Sequence, residues 1–360
     1  MITVIAGGVV TFRRLKSYFK AKRGVANLFA ASVCTIVCTS CSTTSGNVSY
    51  KTSEEAVNAY ATLLSTVKEK DNVSSSDLTV LAKDWRTTHD SVTACLMRDT
   101  TMTIHGDWSR AYQTVHDSMR REFQRIVLSR PRNFADVVNL KATLSAYAED
   151  EDLDAAKKAA MPFFASLDSV PIYKGGSQWS PLTYERMLDK AIATGFHNQA
   201  DLLAFVKSED VHFRTFLSHL SETENMAMGN ITRKTERCCM LVFQAANRKE
   251  LSHKDALVYL TMRTNRRFIL NAQTCVTDIK RGRVKSETQA QAYFWMLLQP
   301  YTSIDGVGMA LLTENDRAAL IKISADVPQC IGRLAKLTQM SEAQLKELPH
   351  LFMKVIVNSY

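Results

Sequence analysis

The chain has few helix breakers, with 13 glycines and 7 prolines in 360 residues. Turn-rich β architectures use both residues heavily, so their scarcity favours long helices. No stretch alternates apolar and polar residues for long enough to argue a sheet. No acidic residue precedes Glu54. No apolar run reaches the roughly 20 residues that a transmembrane helix needs. The signatures of common catalytic sites are also missing. There is no Gly-x-Ser-x-Gly elbow, no His-Glu-x-x-His and no phosphate-cradling glycine loop. Ser65-Thr-Val-Lys68 fits Ser-x-x-Lys without the partner motifs that give that pattern its chemistry.

The amino-terminal stretch has a definite order. Arg13, Arg14, Lys16, Lys20, Lys22 and Arg23 precede an apolar run from Val25 to Val37, and Thr39-Ser40-Cys41 follows. The run fits the apolar core of a secretory leader and is short for a membrane span. The basic residues hold the N-terminus on the cytoplasmic side, and small Thr39 and Ser40 let a peptidase approach the backbone. This stretch resembles the leader of a bacterial lipoprotein ending in a lipobox, with Cys38 where that family usually has leucine. The resemblance implies a signal peptide over residues 1–40, acylation of Cys41 and a mature chain that begins there. It also implies an exported protein held at a membrane by its lipid, at the bacterial outer membrane or its periplasmic face. Residues 41–51 are mostly small and polar and read as a flexible tether.

Charge excludes a class of partner. The net charge is +9, but without the six leader cations 39 Lys and Arg face 36 Asp and Glu. A mature domain near neutrality gives no electrostatic argument for nucleic acid. A membrane reached through the lipid, or an envelope protein or glycan, is the partner class that remains. Five cysteines follow the leader: Cys95, Cys238, Cys239, Cys275 and Cys330. Their number is odd, and no Cys-x-x-Cys spacing supports zinc. An exported protein could form one or two disulfides from them, buried thiols are at least as well supported, and Cys238 and Cys239 read as core thiols on the apolar side of a helix.

Beyond the tether one grammar repeats, in which a capping residue precedes a helical run and a short break. Thr52, Ser74, Asn133, Asn198, Ser252, Ser286, Thr313 and Ser341 each open an apolar-periodic run, most with an acid or Gln three positions on. The fold class is therefore all-α, a multi-helix bundle of about a dozen helices. Pro171, Gly175, Gly176 and Pro181 interrupt the pattern. That break divides residues 52–170 from residues 171–360 as two helical subdomains. Separate helices are expected after Asn198 and over Val211 to Leu220, and another is expected to end at Leu298.

Three constellations could carry chemistry. His212, His219 and Glu222 share one helical face, and His-x-x-Glu can supply two metal ligands or a base and its orienter. Imelysin-type envelope lipoproteins carry such a motif, although the wider motif does not match here. Arg263, Arg266 and Arg267 lie in a basic stretch from Arg233 to Lys285 with 13 cations and 4 acids. They could hold a phosphate or carboxylate by bidentate contacts, such as a lipid headgroup or polysaccharide. His89-Asp90 and His116-Asp117 are sequence neighbours, which diverge on a helix and make no dyad alone. They could meet only across packed helices. No cofactor is indicated. The expected role is a non-catalytic binding or scaffold domain, with a metal-dependent protein and an anion-binding module as the competing readings.

Overall fold

The structure is a computed structural model that describes residues 49–70, 73–98, 107–129, 133–144, 151–173, 180–220, 225–338 and 341–359. Among the described residues there are fourteen helices and no strand, as the breaker content demands. The leader, Cys34, Cys38 and Cys41 lie outside them.

The caps explain where the helices begin. In α1 (Ser53–Lys68), Thr52 Oγ1 accepts from Glu55 N at 3.1 Å. At the start of α2 (Ser75–Arg98), Ser74 and Asp77 exchange bonds of 3.0 and 3.1 Å. Asn133 and Asp136 do the same ahead of α4 (Phe134–Leu144). Ser286 and Gln289 open α10 (Glu287–Ser303), and Thr313 and Asp316 open α12 (Glu314–Thr338). Each pair satisfies helix donors that would otherwise lack partners.

The described residues form two units. The first holds α1, α2, α3 (Asp107–Leu128) and α4, and regains the chain in α14 (Leu348–Ser359). Trp85, Tyr60, Met119 and Phe123 fill its core, and Phe352 of α14 packs edge-on to Phe134. The second unit holds α5 (Glu151–Leu167), α6 (Pro181–Thr194), α7 (Gln199–Ser218), α8 (Asn225–Asn247), α9 (His253–Lys280), α10, α11 (Gly306–Ala310) and α12. The short α13 (Glu342–Lys346) spans the junction between units. Helix α9 is the axis of the second unit, packing against α5, α7, α8, α10, α11 and α12.

This division differs from the one drawn at residue 170. Helix α5 packs on α9 and so belongs to the second unit, and α14 returns to the first. The break near Pro171 is instead a connection inside the second unit. Two helix ends differ as well. Helix α7 runs unbroken through Glu209 and Asp210, because both carboxylates are buried and paired. Helix α10 continues past Pro300 to Ser303, with Tyr301 Oη held 2.9 Å from Ser324 Oγ on α12.

Gly308 of α11 sits where nothing larger fits. A Cβ there would lie 2.8 Å from Ile304 Cγ2, and the Gly308 carbonyl accepts from Asn265 Nδ2 on α9.

Candidate functional site

Helix α9 presents Arg263, Arg266 and Arg267 to α7, where Glu209 and Asp210 meet them. Arg263 Nε donates to Glu209 Oε2 at 2.9 Å, and its Nη2 lies 2.7 Å from Oε1 without hydrogen-bond alignment. Arg267 Nη1 donates to Glu209 Oε1 at 2.8 Å, and Tyr184 Oη donates to the same oxygen. The Arg267 guanidinium lies 4.2 Å over the Phe213 ring. Glu209 is 0% exposed. Burial alone would raise its carboxyl, but the charges of Arg263 and Arg267 prevail and hold it at about 2.

Asp210 accepts from Arg266 Nε and Arg214 Nε, each at 2.7 Å. Arg266 also reaches Asp168 at 2.8 Å. Arg214 Nη2 donates to the carbonyls of Leu167 and Val170, capping the end of α5. The three arginines expected to face an external anion are thus directed at internal carboxylates. The arrangement ties α5, α7 and α9 together, and those charges are neutralised where they stand.

Of the residues expected to hold a metal, His212 and His219 are among those described. His212 is buried with Nδ1 2.8 Å from the Ser208 carbonyl, its ring between Tyr173 and Tyr184. His219 caps the C-terminus of α7. Glu222 lies outside the described residues. Among the described residues no group of three or more His, Cys, Asp or Glu is placed to hold a metal ion. The five cysteines Cys95, Cys238, Cys239, Cys275 and Cys330 are free and buried. Burial pushes the Cys238 thiol up to about 12, which withholds it as a nucleophile.

A second polar cluster lies in the first unit, and here the histidines of the two His-Asp pairs do meet. The rings of His89 on α2 and His116 on α3 are 5.2 Å apart. Tyr60 Oη on α1 lies 2.9 Å from His116 Nδ1 and accepts from Trp85 Nε1 at 2.7 Å. Tyr112 Oη on α3 lies 2.9 Å from His89 Nε2. His89 Nδ1 is 3.3 Å from Asp90 Oδ1, and Arg86 holds the other Asp90 oxygen at 2.7 Å. Burial, with the nearby His89 and Arg120, lowers His116 to about 4, so its imidazole stays neutral. Burial also raises the Tyr60 and Tyr112 phenols above their ordinary value. The chain Asp90–His89–Tyr112 has the order of orienter, base and hydroxyl, but a raised phenol is a poor nucleophile.

The tyrosines and Trp85 escape a sequence reading because each sits at an ordinary core position of an amphipathic helix. The signal in the sequence was the pair of His-Asp neighbours, His89-Asp90 and His116-Asp117. An open groove of about 660 Å³ in the second unit is lined by Lys157, Leu312, Glu314, Arg317, Ile321 and Lys322. No helix among the described residues is long and apolar enough to cross a membrane. Compared with known protein families, curated proteins and solved structures, the chain matches none of them.

Proposed function

We propose that this is an exported, lipid-anchored protein of the bacterial cell envelope, with Cys41 as the acylated residue and a helical, non-catalytic binding or scaffold domain beyond the tether. The observation that carries the reading is the order of basic segment, apolar run and Thr39-Ser40-Cys41 ahead of a small polar stretch. The first described helix begins at Ser53, shortly after that stretch. The use of Arg263, Arg266 and Arg267 within α9 and α7 weighs for a scaffold over an anion receptor. An envelope protein or glycan is the partner class that fits a near-neutral domain on a lipid tether.

The test is metabolic labelling with a palmitate analogue, followed by membrane fractionation. The wild type is expected to take up label and sediment with membranes, and Cys41→Ala is expected to lose label. Equal labelling of the two, or no label in either, would remove the lipid anchor and the envelope placement with it.

A further inference from the structure

The histidine–tyrosine cluster has features that a merely structural hydrogen-bond network does not require. Two phenol oxygens and two imidazole nitrogens, drawn from three helices, face each other in pairs of 2.9 Å. Cis ligands on a cation with bonds of about 2.0–2.1 Å are also about 2.9 Å apart. The centroids of the four rings all lie 5.2–6.4 Å from one another, so the two pairs belong to one cluster in which a cation could take the place of the two phenol protons.

The surroundings fit the same role. His89 Nδ1 lies 3.3 Å from Asp90 Oδ1, and its Nε2 is turned to Tyr112. This carboxylate–histidine arrangement is the one that orients metal-binding imidazoles. Asp90 makes no three-member ligand group with the two histidines, so its part is to orient rather than to bind. Trp85 Nε1 already donates to Tyr60 Oη, and that bond strengthens when the oxygen becomes a phenolate. Asp90 and Asp117 lie near Arg86 and Arg120, so two phenolates would give the cluster excess negative charge. The cluster also has a way in. Tyr60 is 0% exposed and His116 5%, while the side chains of His89 and Asp90 are 19% and 34% exposed.

We infer that Tyr60, His89, Tyr112 and His116 form a binding site for a single ferric ion. Two oxygen donors that must first lose protons select a strongly Lewis-acidic, hard cation over a softer divalent one. On binding, each phenol O–H bond breaks, the oxygen pair forms the bond to iron, and the proton passes to solvent. Two protons leave per ion, and the iron stays ferric throughout. The site lies in a different unit from His212 and His219.

The experiment is titration of the metal-stripped full chain with ferric nitrilotriacetate near neutral pH. The expected result is one retained iron per chain and a visible phenolate-to-iron charge-transfer band. Tyr112→Phe, at the half-buried rim, should keep the wild-type melting temperature without metal and lose most of the band. Asp90→Asn should weaken iron binding about 10- to 100-fold. Three results would each overturn the site: no iron retained by the folded wild type, a band of equal strength in Tyr112→Phe, or retention of zinc or copper in preference to iron.

Discussion

Glu209 shows how one residue decides the use of three arginines. It is fully enclosed, and its charge is tolerable only because Arg263 and Arg267 meet it from α9. Removing one partner leaves a buried charge unanswered, so Arg263→Ala should destabilise the protein by about 3–5 kcal/mol. Replacing both, as in Glu209→Leu with Arg263→Met, should cost much less than the sum of the single changes. Chemical denaturation of the three variants checks this. Because the folded carboxyl is held at about 2, its contribution is present above its ordinary value and fades as pH falls from there toward 2.

Glu236 behaves in the opposite sense. It sits half-buried on α8 with Oε1 lacking a hydrogen-bond partner, and burial raises it to about 7 against the pull of Arg267. The folded state then holds a proton that the unfolded chain has released. Stability falls as pH rises from the ordinary carboxyl value through 7. Glu236→Gln should therefore raise the melting temperature at pH 8 and change it little at pH 4. A gain of equal size at both would show that burial of its charge is not the cause.

At the scale of elements, the caps were legible because capping is local. Thr52, Ser74, Asn133, Asn198, Ser252, Ser286 and Thr313 all engage a donor three residues on. The continuity of α7 was not legible, because Glu209 and Asp210 look like a polar break until α9 supplies their partners 54 and 56 residues away. The same reason hid the role of the arginines, since a basic stretch reads alike whether it faces solvent or a buried acid. The sequence pattern ends this helix at Leu298, yet α10 runs on past Pro300 because its last turn is pinned to α12 through Tyr301.

Gly308 gives a test of packing between elements. In an open helix Gly→Ala stabilises by about 1 kcal/mol. Here the added methyl would meet Ile304 at 2.8 Å and Asn265 at 3.1 Å. Gly308→Ala should destabilise by about 1–3 kcal/mol, so the sign alone distinguishes close packing of α11 on α9 from an open turn.

At the scale of the whole molecule, the number and type of helices followed from composition, but their grouping did not. Helix α14 is far in sequence from α3 and α4, against which it packs, and no local signal marks that return. Phe352 is buried in the first unit. Phe352→Ala should cost about 3–5 kcal/mol there. Amide exchange should quicken in α1–α4 and stay slow in α9 if the two units hold separate cores. Uniform acceleration across both would contradict the division.

Placement in the cell rests on the leader, whose chemistry lies in one thiol. The most direct measurement is mass spectrometry of the protein purified from its own membranes. The expected amino-terminal peptide begins at Cys41 and carries a diacylglyceryl mass on sulfur. Recovery of peptides from residues 1–40 with an unmodified Cys41 would contradict the lipid-anchored reading.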